Sequence, residues 1–407
     1  MESLTNRSFS LNTISLFIKF TYCLNEFLIK ENVMVNVLKY LILYTFILLM
    51  TACSTGDREL KNSFDKGMEV IQSQYAPDLS THVFDIQLYK KNDKWMVSGE
   101  TTEKEGRDAV IAFSDSLIGK NNYEKGIDLL PHKALGDSTY GVIRVSVANL
   151  RRDRGHSSEL IDQTILGLPV RLLKKKGYWY LVQTTYGYIG WMTRASFTRV
   201  DKEGLNDWKK SDRIRVADLD GRLYTRKSKQ SVPVCDVVMN NILKLDKRYG
   251  LWIKAVLPDG RSGYLLTEKV RPVDEQVDTS VEGIINTAKR LMGVPYLWGG
   301  NSTKGNDCSG FTQTVFRANG ILLPRDARQQ VHEGRLIKHN EEFTNVKAGD
   351  LLLFGREDRI THVGISLGGK SFIHQDSFVN IASFDEDAEN FSKHRKRTLR
   401  VVKRIIN

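Results

Sequence analysis

The sequence predicts an α+β chain of several small domains: a small α+β module, then two small β-barrels, then a compact α+β domain at the C-terminal end. Three observations carry this. A length of 407 residues exceeds one small domain and suits roughly two to four, at ~100 to 200 residues each. Between Tyr140 and Val273 short β-rich runs broken by Gly and Asp repeat themselves, and beyond Thr279 a helical period gives way to strands. Composition excludes a disordered chain, because 41% hydrophobic against 27% charged residues is enough apolar matter for each domain to bury a core. The net charge of +12 is spread along the chain; it favours anionic surroundings and decides nothing by itself.

The apolar run Tyr40 to Met50 is too short to cross a bilayer as a helix, which takes ~20 residues, and has the length of a signal-peptide core. Lys39 precedes it, and Thr51, Ala52 and Cys53 follow. The segment resembles a bacterial lipoprotein signal with Met50 to Cys53 as the lipobox, Met50 departing from the usual Leu; the alternative is a core helix with a chance cysteine. The leader is assigned to 1–52, with Met34 the better start and 34–52 the signal. Residues 53–66 follow as a polar, lipidated tether that needs no fold. The resemblance implies a membrane-anchored lipoprotein of the bacterial cell envelope, held through lipid on Cys53.

Residues 67–135 read as a small α+β module of unassigned role. It has a helix, strands VFDIQLYKK and KWMVSGETT meeting at Asn92-Asp93, and a second helix around Glu105 to Leu117. In the β-rich region Gly177, Trp179, Gly190 and Trp191 recur as Gly250, Trp252, Gly263 and Tyr264, each 73 residues later. A unit this short suits a five- or six-stranded barrel. Both units, 140–203 and 207–273, resemble bacterial SH3-like (SH3b) domains. Trp179, Trp191 and Trp252 are expected in barrel cores, whereas Tyr186 and Tyr188 of YGYIGW alternate with glycine and are expected to face outward.

After an acidic linker at 274–279, the last domain occupies 280–407. VEGIINTAKRLMG places Ile284, Ile285, Ala288 and Leu291 on one helical face, with Gly293 closing it. The four cysteines, Cys23, Cys53, Cys235 and Cys308, have no metal-ligand spacing, so no metal or cofactor is implied; Cys235 reads as a small core residue. Cys308 follows a Gly/Asn/Asp-rich loop and starts an amphipathic run with Phe311, Val315 and Phe316 on one face. A helix N-terminus favours the thiolate, which predicts a pKa lowered from ~8.5 into roughly 3.5 to 7.5; the alternative is a buried, inert cysteine. A nucleophilic cysteine needs a base. GDLLLFG, ITHVGISLGG and KSFIHQDS read as three strands carrying His362 and His374. A two-residue turn at 368 and 369 would put the histidines on opposite faces. A three-residue loop puts them on one face, and that register is predicted, with Gly364 leaving room for substrate or for the Cys308 helix.

The motifs GVPYLWGGNSTKGNDCSG, LPRDARQQ, KAGDLLLFG, THVGISLG and SFIHQDS together resemble the NlpC/P60 family of papain-like cysteine peptidases across most of 280–407. The resemblance implies Cys308 as nucleophile, His362 as general base and His374 as the group that sets the imidazole tautomer. The Cys308 N–H and the Tyr296 hydroxyl are candidate oxyanion donors. Two SH3b units ahead of this domain are similar to the γ-D-glutamyl-L-diamino acid endopeptidases, which implies as substrate a murein stem peptide, L-Ala-γ-D-Glu-diamino acid, with a free amino terminus. Asp307, Ser309 and Asp326 match the amine pocket, with Glu159 and Tyr188 as candidates from the first SH3b unit. The family commonly has Ser after the Asp of LPRD, where this chain has Ala327. Two other readings stay open: a remodelling endopeptidase acting on intact peptidoglycan, and a wall-binding protein without catalysis. Nothing suggests nucleic acid as a partner, and a monomer is expected.

Overall fold

The computed structural model describes residues 56–406. The leader, the start at Met34 and the lipidation site Cys53 lie outside the described residues. Among the described residues no helix is long and apolar enough to cross a membrane.

The chain divides into two compact units, the first ending at Val70 and taking in Gln87–Val97 and Val110–Lys125. Helix α1 covers 56–75, so the segment expected to be an unfolded tether is helical from residue 56. Its polar composition hid two apolar residues one turn apart: Phe64 and Met68 are both buried, and Phe64 packs on Phe113 with ring centroids 6.3 Å apart. Strands β1 (Phe84–Lys91) and β2 (Lys94–Thr101) meet at Asn92 and Asp93, both with positive φ, as a two-residue hairpin requires. After α2 (Lys104–Ser114), strand β3 (Tyr123–Leu129) completes a three-stranded sheet in the order β1-β2-β3. With glycine inside it and weak alternation, β3 carries little strand signal in the sequence.

The second unit takes in Ile71–Ile86, Ser98–Ala109 and everything from Gly126. Its first barrel contains β4 (Tyr140–Ile143), β5 (Val147–Arg151), β6 (Leu160–Ile165), β7 (Pro169–Lys176), β8 (Trp179–Thr184), β9 (Ile189–Thr193) and β10 (Phe197–Val200), ordered β10-β4-β7-β8-β9-β5-β6. Helix α3 (Lys202–Lys210), capped by Asp201, leads to β11 (Arg213–Val216), β12 (Asp220–Tyr224), β13 (Pro233–Val238), β14 (Ile242–Tyr249), β15 (Trp252–Val256), β16 (Ser262–Leu266) and β17 (Val270–Pro272). Their order, β13-β12-β16-β15-β14-β11-β17, is the first barrel's read from the other edge, and every strand begins 73 residues after its counterpart. Each sheet has seven strands rather than five or six, because pieces as short as β4, β10 and β17 are below the length at which alternation can be read. The barrels are fused: Leu166 enters the second barrel's core, and the Trp208 indole donates to the Gly167 carbonyl at 2.9 Å. Gly167 has φ +83°, and a Cβ there would stand 2.1 Å from the Ile242 oxygen.

In the C-terminal domain Ser280 caps α4 (Val281–Arg290), whose Ile284 and Ala288 are fully buried together with Leu291 just beyond, while Ile285 is half-buried. A ribbon of β18 (Asn301–Ser302) and β19 (Gly305–Asn306) leads into α5 (Cys308–Ala318), and the four-residue α6 (Ala327–Gln330) follows. The sheet comprises β20 (Arg335–Ile337), β21 (Leu351–Arg356), β22 (Arg359–Gly368), β23 (Ser371–Gln375), β24 (Val379–Ser383) and, after α7 (Lys393–Thr398), β25 (Leu399–Arg404), ordered β20-β25-β21-β22-β23-β24. Alternation along β21 divides the core: Leu351 and Leu353 join Phe311, Val315 and Phe316 of α5 on one face, and Leu352 and Phe354 join Phe372 and Phe384 on the other.

Candidate active site

The turn before α5 is built to present a side chain. Asp307 caps the helix by accepting from the Gly310 N–H at 2.8 Å, and its other carboxylate oxygen accepts from the Gly299 N–H at 3.0 Å. Cys308 is therefore the first helical residue. Gly300 and Gly310 let the two segments touch, since a Cβ on Gly310 would lie 2.0 Å from the Gly300 oxygen. Helix α5 packs on β22, and the Val363 N–H is directed at the thiol, as is that of Ser309.

Burial, reinforced by the Asp307 carboxylate, pushes the Cys308 thiol up to about 12. The expected depression of its pKa is not what the structure produces, because desolvation of the enclosed sulfur outweighs the two N–H groups and the nearby Arg325. Burial likewise holds His362 well below the ordinary imidazole value, with Arg395 and His374 adding to the effect. Burial thus disfavours the charged form of each group taken singly.

The histidines share a face as predicted. Gly364 stands directly across from His374, and the His362 Nε2 lies 2.9 Å from the His374 Nδ1. The register arises differently from a plain three-residue loop: Gly368 pairs with Ser371 around a two-residue turn, and the extra residue Leu367 forms a bulge that shifts the pairing by one. The space left at Gly364 is taken up by His374 itself, whose Cβ would be 3.0 Å from an added Cβ. Asn380, across from His374 on β24, favours the protonated form of the His374 ring as an acceptor does, and its own amide nitrogen donates to the Phe378 carbonyl at 2.8 Å. The Asn380 oxygen is therefore the acceptor. That leaves the His374 Nδ1 to accept from the His362 Nε2–H, and the His362 Nδ1 as the free base. His374 is pushed down to about 4, by burial first and by Arg395 second, and is neutral near pH 7.

Cys308 opens into a cavity of about 1080 Å³ that is also lined by Tyr296, Asp307, Ser309, Asp326, Glu159 and Tyr188. The C-terminal domain, the first barrel and the segment Pro77 to Asp85 all contribute walls. Tyr188 is buried rather than outward-facing, and its hydroxyl lies 3.4 Å from Asp326; Tyr186 is half-buried, its hydroxyl 2.5 Å from Asp162. A neighbouring domain covers that barrel face, which no barrel-level pattern can reveal. Glu159 accepts from Arg152 at 2.6 Å and from the Trp298 indole at 2.9 Å, which holds its carboxyl below the usual range. Asp326 is raised by burial. Ala327 lines the same cavity without a polar group. Of the barrel tryptophans Trp191 is buried, while Trp179 and Trp252 are half-buried.

Sequence reasoning missed the residue that holds these parts together. Arg325, 1% exposed, donates to Asp162 of the first barrel at 2.5 Å and to both oxygens of Asp307 at 3.0 and 2.6 Å. It stands next to Asp326 in the LPRD motif, where the signal was available. Asp307 is accordingly neutralised by a bidentate partner rather than left as a free acceptor. Asp78 and Ser80 were also missed: Arg328 grips Asp78 with two bonds of 2.9 Å and donates to the Ser80 hydroxyl at 2.9 Å, fixing the Pro77 to Asp85 wall. Nothing in the sequence marks Asp78. Among the described residues no group of three or more His, Cys, Asp or Glu side chains is placed to hold a metal ion.

Comparison with known proteins agrees with this fold. The NlpC/P60 family model matches residues 293–400, and the bacterial SH3 domain model matches residues 146–198. A gamma-D-glutamyl-L-lysine dipeptidyl-peptidase of Bacillus cereus is 28% identical over 233 residues, 54% of this chain and 68% of the relative. The murein DD-endopeptidase MepS/murein LD-carboxypeptidase of Escherichia coli is 34% identical over 159 residues, 37% of this chain and 82% of the relative. A crystal structure of an NlpC/P60 family protein from Bacillus cereus has the same fold, with a TM-score of 0.57 at 24% identity, over 66% of this chain and 100% of that one.

Proposed function

This chain belongs to the NlpC/P60 family of cysteine peptidases, and we propose that it hydrolyses the γ-D-glutamyl-L-diamino acid bond of murein stem peptides with a free N-terminal L-Ala, in the recycling of murein peptides. The observation that carries the reading is the cavity over Cys308. Six carboxylates (Asp78, Asp85, Asp153, Glu159, Asp307 and Asp326) line it against three guanidinium groups (Arg152, Arg328 and Arg359), and even with Asp307 neutralised by Arg325 behind the wall the carboxylates are in excess, so it suits a cationic group. Its walls include the first barrel and the Pro77 to Asp85 segment, and Gly299 sits so close to the barrel that a Cβ would be 2.4 Å from the Leu160 oxygen. Walls on that side favour a peptide that begins there over one continuing into glycan. The name of the Bacillus cereus relative supports the same bond.

In this reading His362 Nδ1 takes the proton as the Cys308 sulfur attacks the γ-carbonyl of D-Glu, and the developing oxyanion meets the Cys308 N–H and the Tyr296 hydroxyl. Collapse forms a thioester and breaks the C–N bond, with His362 returning the proton to the departing amine; water, deprotonated by His362, then releases the dipeptide. The ammonium of L-Ala is received by Asp326 and Glu159, with Asp307, Ser309 and Tyr188 completing the wall. We further place the chain in the bacterial envelope, anchored by lipid on Cys53, as a monomer.

The test compares the purified chain on L-Ala-γ-D-Glu-diaminopimelate and on intact murein, following L-Ala-D-Glu by mass spectrometry with Cys308→Ala as control. Cleavage of the free peptide alone is expected, and Glu159→Ala should raise KM for it and relax discrimination against glycan-linked stems. Efficient cleavage of intact murein would make this a wall-remodelling endopeptidase instead.

A further inference from the structure

A second cavity, of about 670 Å³, lies on the first barrel and shares no lining residue with the catalytic one. Arg144, Lys175, Arg194 and Arg199 line it against one carboxylate, Asp259 from the second barrel, and Tyr178, 52% exposed, forms part of the wall. Two of the four cations are held in place from behind. The Arg144 Nε donates to the Ala195 carbonyl at 2.8 Å, and the Arg199 Nε donates to that of Ser138 at 2.7 Å. Asp259 is shared with Arg261 at 2.8 Å and is 3.9 Å from Arg144, so it offsets only part of the charge.

The internal repeat supplies a control within the same chain. At the positions 73 residues on, the second barrel has Ala217 for Arg144, Arg248 for Lys175, Leu251 for Tyr178, Thr267 for Arg194 and Pro272 for Arg199. Two barrels with the same strand order therefore differ at this face, where three of four cations and the tyrosine belong to the first alone. The basic cavity is not a property that the barrel fold brings with it.

We propose that this cavity is a binding site for a phosphate-bearing anion. The N–H groups of Arg144, Arg194 and Arg199 not already given to backbone carbonyls, as the Arg199 Nε and one terminal nitrogen are to Ser138 and Leu135, match phosphate oxygens, and the single carboxylate leaves a clear positive excess. The phosphate is either that of a small soluble ligand or that of an anionic lipid headgroup, both read by the same groups. The site is independent of the proposed peptidase reaction.

The experiment titrates the full chain with inorganic pyrophosphate at low ionic strength by calorimetry, and in parallel measures its co-sedimentation with vesicles of phosphatidylglycerol or of phosphatidylcholine. The same is done with a Lys175→Ala/Arg194→Ala double variant and with Arg248→Ala, the charge removed from the second barrel at the position matching Lys175. Expected is saturable pyrophosphate binding that weakens about tenfold or more in the double variant and is unchanged in Arg248→Ala, with peptidase activity intact in both. If the double variant also loses binding to the phosphatidylglycerol vesicles, the natural source is a headgroup; if vesicle binding is absent or unaffected, it is a soluble phosphate. Absence of saturable pyrophosphate binding to the wild-type chain, or equal losses in the double variant and Arg248→Ala, overturns the proposal.

Discussion

The His362 Nε2 and the His374 Nδ1 are 2.9 Å apart across neighbouring strands, joined in a chain that ends on Asn380. Each link sets the proton position of the next, so a neutral histidine can do the orienting work that a carboxylate does elsewhere. His374→Ala should lower kcat by about 10²-fold or more with little change in KM, leaving residual activity, whereas Cys308→Ala abolishes turnover with near-normal stability. Wild-type kcat in His374→Ala would remove it from the chain.

Burial of the Cys308 thiol has a spectroscopic consequence. Thiolate absorbance near 240 nm, taken as the difference between wild type and Cys308→Ala, should be absent at neutral pH and grow in only under strongly alkaline conditions, because burial raises the thiol to about 12. A full thiolate signal at pH 7 would mean that the ion pair already exists in the free enzyme.

His374 titrates at about 4 in the folded chain against an ordinary 6.5, so between those values the unfolded chain binds more protons. Its contribution to stability is complete above pH 6.5 and is lost as the pH falls toward 4. Urea midpoints should decline across that window in the wild type and decline less in His374→Gln.

Arg325 offers the largest stability effect. Removing it leaves Asp162, fully buried, and Asp307 without their shared cation, so Arg325→Ala should cost about 3 to 5 kcal/mol in denaturant unfolding. A loss below about 1 kcal/mol would mean that water replaces the guanidinium.

Arg328 is more exposed, and its pair with Asp78 contributes less than about 1 kcal/mol. Its expected role is in selectivity: Arg328→Ala should leave the melting temperature nearly unchanged while raising activity on amino-blocked stem peptides relative to free ones. Unchanged selectivity would show that the Pro77 to Asp85 wall holds without this grip.

Local pattern determined a good part of this protein. The 73-residue repeat, the helix starting at Cys308 and the strands bearing His362 and His374 were all readable, because period, glycine punctuation and capping act between residues close in the chain. What lay beyond reach was decided by contacts between distant segments. The buried phenylalanine of α1, the inward turn of Tyr188, the Arg325 bridge to Asp162 and the Asp78 wall each require knowing which surface covers which. The Cys308 thiol is the clearest case. Its place at a helix start is a property of the sequence and argues for a low pKa, but the depth at which the C-terminal domain encloses it belongs to the tertiary structure, and desolvation outweighs the helix terminus.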